Sequence, residues 1–367
     1  MSFVPRRVFP TYRIPLSNFK GHHQKALNKF GSLAPQIDFI VEVRDSRAPI
    51  STINVLFNKV LAHKPRLIVY SKKDLSVLKR PWTDKLHKSR NEQYMFVDAR
   101  SKQDSKKILN FIKDRYFEMS PPPPLGLRMM LIGMPNVGKS TLVNTLRSVG
   151  LDNSGSVSSK VRKVARTGGQ PGVTRATSEI IKLSNDPDIL VHDTPGVFLP
   201  TVKDAETMLA LSLVGCVHTS FVDPVIQADY LLYILNLQDP TGAKYSEFMD
   251  HPTNSVDELL YKIAETRNVV RKDGTFDMEG MAIHWVSKWK QGKLDKYKGL
   301  FDLAPVLEQN EEEIRLNLNL ETNRVASMQV TKKLTDRLGE DGTATSKARK
   351  RNAKDRAADH QNQLFKL

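Results

Sequence analysis

The segment Gly133-Met-Pro-Asn-Val-Gly-Lys139-Ser140 lies between the apolar run Arg128-Met-Met-Leu-Ile132 and the helix-like stretch Thr141-Leu-Val-Asn-Thr-Leu146, and it constrains the chain more than any other feature. The pattern requires a strand, a tight loop and a helix in immediate succession, a building unit of α/β sheets. Glycines at 133 and 138 let the backbone wrap closely and turn its N–H groups inward, forming a nest for phosphate at a helix N-terminus. Lys139 supplies charge toward β- and γ-phosphates, and Ser140 a hydroxyl for Mg²⁺, whose remaining ligands are phosphate oxygens and water. The expected nucleotide-binding residues of this loop are Asn136, Val137, Gly138, Lys139, Ser140 and Thr141.

A phosphate site of this kind needs a carboxylate for the metal shell at the end of a nearby strand. Asp193-Thr-Pro-Gly196, after the strand-like Asp188–His192, supplies it. Gly196 can bring its N–H to a γ-phosphate, so that loss of the phosphate releases the loop behind it. Thr174, closing the basic, glycine-rich stretch 154–174, is the natural second hydroxyl for the metal, with a plain turn threonine as the alternative. Ser140, Thr174 and Asp193 form the expected metal set.

Guanine is distinguished from adenine by its N1–H and exocyclic amine, which a carboxylate can accept. The candidate reader lies upstream of the phosphate loop, at Ser71-Lys72-Lys73-Asp74, directly after the strand-like Arg66–Tyr70. There Asp74 would take the base edge, Lys72 would lay its stem over the ring, and Ser71 stands where asparagine is usual. Asp98 and Ala99, ending the run Tyr94–Val97, offer a second base contact through backbone N–H.

Asp38–Val43, Arg66–Tyr70 and Tyr94–Val97 read as strands separated by polar helical stretches, as βαβ units with a parallel sheet require. The polyproline run 121–124 then separates these from the strands at Arg128–Ile132, Ser178–Leu183 and Asp188–His192. Beyond about Pro200 apolar residues recur at helical spacing, in Ala205–Val214, Val225–Leu237, Val256–Ala264 and Met278–Trp289, which predicts a helical second domain. Trp285 and Trp289, one helical turn apart, are expected in its core rather than as base-stacking platforms. Past Val330 the chain is polar and basic, and disorder is expected there.

The 367 residues allow roughly two to three compact units of ~100–200 residues each. A formal charge of +16 calls for a polyanionic partner, with nucleic acid first and an anionic membrane face second. The single cysteine, Cys216, in an apolar run, excludes a disulfide framework and is expected to be buried. No stretch approaches the ~20 apolar residues that span a bilayer. Residues 1–37 contain no acidic side chain while Arg6, Arg7, Arg13, Lys20, Lys25 and Lys29 accumulate, the composition of a mitochondrial transit segment or of an arm that grips RNA.

The order of these motifs, Asp38 to Pro49 (ending Arg44-Asp45-Ser46-Arg47-Ala48-Pro49), then Ser71–Asp74, Gly133–Ser140, Pro171–Thr174 and Asp193–Gly196, resembles the circularly permuted GTPases of the YlqF/YawG class, and within it the mitochondrial, RbgA-like branch. The likeness runs from Phe19 to about Pro305. It implies an α/β fold, a circularly permuted P-loop GTPase with a doubly wound, mostly parallel sheet over 31–200. A basic arm or transit segment over 1–30 would precede it. An all-α, RNA- or ribosome-binding domain over 201–330 and a basic flexible tail over 331–367 would follow.

The resemblance further implies GTP and GDP as ligands with Mg²⁺, and K⁺ as a further ion held by Asn136. His22, in Phe19-Lys-Gly-His22, matches a water-positioning candidate of the class, although Lys20 replaces the usual proline, and a surface or RNA-facing histidine stays open. The implied catalytic set is His22, Asn136, Lys139 and Thr174. Val197 stands where Ras-like proteins carry a water-orienting glutamine, which implies slow intrinsic turnover. Ser71 in place of asparagine implies looser guanine affinity. The implied partner of this monomer is the large ribosomal subunit and its rRNA in the mitochondrial matrix, with peripheral contact to the inner membrane. Two other readings stand beside this one: an RNA-binding scaffold with a structural, non-hydrolysing nucleotide site, and a GTPase working at an anionic membrane surface.

Overall fold

The computed structural model describes residues 3–61, 64–88, 90–152, 180–271, 273–292, 294–302 and 310–338. Strands β1 (Phe39–Asp45), β2 (Arg66–Ser71), β3 (Gln93–Phe96), β4 (Leu127–Gly133), β5 (Ile180–Asn185) and β6 (Asp188–Asp193) form one six-stranded sheet in the order β3-β2-β1-β4-β6-β5. All neighbours run parallel except β5 and β6. Every residue of β1 is buried, as expected for a strand covered on both faces of a parallel sheet. Its three charged residues are all paired there: Glu42 accepts from Arg44 at 2.7 Å and from Arg66 at 2.6 Å, and Asp45 pairs with Arg47 at 2.8 Å.

From β1 the chain moves outward through α2 (Leu56–Val60), β2, α3 (Arg80–Lys88) and β3. It returns by α4 (Lys102–Glu118) and the exposed proline run to β4, then crosses to the opposite edge through α5 (Lys139–Asp152). The direction of strand addition therefore reverses between β1 and β4. Ligands of open α/β sheets bind at the carboxyl ends of strands beside such a reversal. Asp45, Ser71, Gly133 and Asp193 are the last residues of β1, β2, β4 and β6, so the parallel register delivers all four to the same edge.

Strands stop at Asp193, and α6 (Ala205–Leu213), α7 (Pro224–Gln238), α8 (Val256–Arg267) and α9 (Met278–Gln291) follow. Each has an N-cap whose side chain accepts a helix N–H: Asp204, Asp223, Ser255 and Asp277. Residues 227–236 of α7 are all buried, which makes it the central helix of this region. Trp285 and Trp289 lie in the core, as their spacing predicts, and Cys216 is buried. These helices belong to the same compact unit as the sheet, Met1–Leu316. A last helix, α10 (Glu311–Leu338), straddles the border with a second unit, Asn317–Leu367, and continues past residue 330, where a structureless tail was expected to begin. No helix among the described residues is long and apolar enough to cross a membrane.

The N-terminal stretch is folded in more deeply than its basic composition suggests. Phe9 is buried against Tyr230 and Tyr233 of α7. Arg6 and the Tyr12 hydroxyl both donate to Asp229, at 2.6 and 2.9 Å. α1 (Gly21–Leu33) then buries Ala26, Leu27 and Phe30. Basic residues dominate the count, but the interleaved aromatic and aliphatic side chains supply the packing face. Asp229 sits deep in the protein, and removing its cation leaves a buried carboxylate poorly compensated. Arg6→Ala should lower the unfolding free energy by about 2 kcal/mol, discounted because Arg6 itself is partly exposed. Urea unfolding checks this, and an unchanged midpoint would mean that the stretch is not docked.

Candidate nucleotide site

The site is built from the end of β4. Gly133 has φ +153°, and a Cβ there would lie 2.3 Å from the Val43 carbonyl oxygen, so no other residue fits beside β1. Gly138 has φ +98°, and Asn136 takes the left-handed conformation as well. Lys139 opens α5 and folds back over the loop, donating to the carbonyl oxygens of Met134 at 2.8 Å and Gly133 at 3.3 Å. Burial pushes its ammonium down to about 8, with Asp193 opposing the shift.

Ser140 Oγ donates to Asp193 Oδ2 at 3.0 Å, which places a hydroxyl and a carboxylate together at the start of α5. Burial raises the Asp193 carboxyl, against the pull of Lys139 and Ser140. Among the described residues no group of three His, Cys, Asp or Glu could hold a metal ion. A hard cation here would be held by few protein oxygens and by phosphate, the usual Mg²⁺ arrangement, and the Ser140–Asp193 pair fits it. Thr174 lies outside the described residues.

Gly196 rests on the phosphate loop, since a Cβ there would meet Pro135 Cα at 2.4 Å. Val197 N donates to Gly133 O at 3.2 Å, and its side chain is wholly buried, so it offers no polar group to water. His22 is on the first turn of α1, its ring centroid 4.1 Å from that of His23. His23 Nδ1 accepts from Lys20 N at 3.0 Å, and burial, helped by His22 and Lys20, pushes its imidazole down to about 4. The segment leading into α1 is tied to the chain behind Gly196, Val202 N donating to Leu16 O at 2.8 Å and Ser17 Oγ to Pro200 O.

The upstream reader converges on the same loop. Ser71 Oγ donates to Val137 O at 2.6 Å and lies 3.1 Å from Arg44 O. Lys72, left-handed at φ +56°, donates to Asn136 O at 2.9 Å and pairs with Asp45 Oδ2 at 2.7 Å. Burial lowers the Lys72 ammonium, and Asp45 counteracts it. Asp74 follows in the half-buried turn Lys73–Leu75. Ala99 O accepts from Thr145 Oγ1 at 2.8 Å, holding that turn against α5. The Asp98 N–H donates to Asp104 Oδ2 at 2.8 Å and is therefore already engaged within the protein.

Sequence reasoning assigned Asp45 and Arg47 no role in the site. Asp45 is fully buried under Lys72, and Arg47 fixes it through two donors at 2.8 and 2.9 Å. The available signal was a charged run, Arg44-Asp45-Ser46-Arg47, at the end of a strand too apolar to lie at the surface. Cys216 lies within electrostatic reach of Lys72, Asp45, Lys139 and Arg47, and burial pushes its thiol up to about 12.

The family model described as 50S ribosome-binding GTPase matches residues 128–271, which begin at β4 and exclude the upstream reader. Mitochondrial GTPase 1 of Saccharomyces cerevisiae is 39% identical over 79% of this chain and 82% of that protein. The protein of the same name from Schizosaccharomyces pombe is 34% identical over 86% of this chain and 97% of its own length. Mitochondrial ribosome-associated GTPase 1 of Mus musculus is 34% identical over 70% and 79%. Among solved structures, GNP-bound YlqF from T. maritima aligns with a TM-score of 0.49 and 20% identity over 75% of this chain and 97% of that one, too loose a likeness to add to these relatives. Their identity extends over most of both chains, hence across the upstream reader as well as the phosphate loop, and the chain belongs to the mitochondrial GTPase 1 family of GTP hydrolases.

Proposed function

We propose that this mitochondrial GTPase is a nucleotide-dependent assembly factor for the large ribosomal subunit, docking on its rRNA in the GTP form and leaving after hydrolysis. The observation that carries the nucleotide part is the pair of bonds from Ser71 and Lys72 to the carbonyls of Val137 and Asn136, which makes one site of two distant motifs. The ribosomal part is supported by the mouse relative's name and by the charge of +16. Membership in a family of hydrolases leaves the non-hydrolysing scaffold without support.

In this reading Asp74 accepts from the guanine edge, Lys72 lies on its face, and Ala99 N–H adds a second base contact. The inward amides of Asn136 to Thr141 hold the phosphates. Ser140 and Asp193, with Thr174, hold Mg²⁺, which would neutralise charge between the phosphates. Asn136 would hold K⁺ through its side-chain oxygen, while its Nδ2 donates to Gly215 O at 3.2 Å. Gly196, packed on Pro135, registers the γ-phosphate by its N–H. With Val197 apolar and buried, water is oriented by His22 or by the ribosomal partner.

Turnover should therefore be slow alone, rise at least about tenfold with large ribosomal subunits, and be faster in K⁺ than in Na⁺. Phosphate release with and without subunits measures this, and equal rates in all four conditions would defeat the proposal. A phosphate beside Lys139 stabilises its charged form, so nucleotide binding takes up a proton wherever the free lysine is already neutral. GDP affinity should be level below pH 8 and weaken above it, up to about tenfold per pH unit, as the free ammonium titrates at about 8. Calorimetry in buffers of different ionisation enthalpy should show proton uptake above pH 8. Peripheral contact with the inner membrane is proposed on basic charge alone. Flotation with anionic vesicles should retain part of the protein and lose it at high salt.

A further inference from the structure

Arg47 is 2% exposed and spends its guanidinium on three partners belonging to different parts of the fold. Nε and Nη2 grip Asp45 in a fork; Nη1 donates to Lys290 O at 3.0 Å, near the end of α9; Nη2 also reaches Val214 O at 3.3 Å, the C-cap of α6. Asp45 in turn carries Lys72. Arg47 and Lys72 hold the Asp45 carboxyl below the usual carboxylate range despite its burial, so the triad stays charged. A guanidinium is planar and rigid. Any shift of Asp45 must tilt that plane and lengthen the bond to Val214 or to Lys290.

The far side of this link is equally tied down. Lys290 Nζ donates to Gln227 Oε1 at 3.2 Å, the same oxygen accepts from Ser212 Oγ at 2.8 Å, and Gln227 Nε2 donates to Val222 O. Next to Val214, Gly215 accepts from the phosphate-loop side chain of Asn136. The short turn after α6 therefore touches the base side of the site through Arg47 and the phosphate side through Asn136.

We propose that Arg47 is a positioning residue that sets Lys72 through Asp45 and, through Val214 and Lys290, makes nucleotide occupancy and the packing of α6 and α9 a single equilibrium. The idea rests on the reading above that Lys72 contacts the base. A coupling of this kind is reciprocal: whatever binds and shifts α6 or α9 alters nucleotide affinity by the same factor.

Amide hydrogen exchange on the full chain, with and without saturating GDP, tests it. In the native protein GDP should slow exchange roughly tenfold in 139–146 and also in 279–291, a segment away from the phosphate loop. In R47K the single ammonium cannot bridge three acceptors; GDP should bind roughly tenfold more weakly and, at saturation, protect 139–146 while leaving 279–291 within about twofold of the free protein. Lys72→Met, a change at a partly exposed side chain, should give the same pattern and serves if R47K does not fold. Protection of 139–146 without 279–291 in the native protein overturns the inference and leaves the nucleotide site standing, as does undiminished protection of 279–291 in both variants. Protection of neither segment by GDP sinks the nucleotide reading and the coupling with it.

Discussion

Lys72 donates from the end of β2 to a carbonyl oxygen in the phosphate loop, and on that contact the unity of the site depends. Its ammonium is largely withdrawn from water, which is tolerable because Asp45 lies beneath it and Arg47 beneath Asp45. Removing any one of these charges leaves its neighbours uncompensated in a low-dielectric setting. The turn that follows β2 is thus not a surface decoration that could drift from the phosphate loop. It is held by a buried chain of alternating charge, and Ser71 secures it a second time at Val137.

The inverted order of motifs is compatible with a single site because the sheet, not the chain order, decides which strands are neighbours. β1 and β4 are adjacent and parallel although α4 and a proline-rich spacer separate them in sequence. Any connection long enough to return to the starting edge would serve, so the reader can precede the loop without altering the geometry where they meet. The same parallel register brings the end of β6 beside that of β4, so that Asp193 meets Ser140 at the same edge.

Charge is partitioned in a way that composition conceals. Arg6, Arg44, Arg47 and Arg66 are neutralised inside the protein by Asp229, Glu42 and Asp45. These four cations meet three carboxylates and so take up only one unit of the formal excess of +16, which leaves most of it to the rest of the chain. A ribosomal particle would meet that field, and α6 and α9 lie at the other end of the Arg47 link.

The sequence by itself determined the phosphate loop, the strand order along the chain, the helical region after the last strand and the core placement of Trp285 and Trp289, because hydrophobic period and glycine placement are local properties. It also offered Ser71, Lys72 and Asp74 as the candidate reader, from residue chemistry after a strand. Only the tertiary structure decided that Asp98 gives its amide to Asp104, that Phe9 and Arg6 pack on α7, and that Asp45 and Arg47 belong to the site. Each of those depends on contacts between residues distant in sequence or on which of several polar partners a buried group meets first. Local pattern carries no record of that choice; the packing of the sheet against the helices makes it.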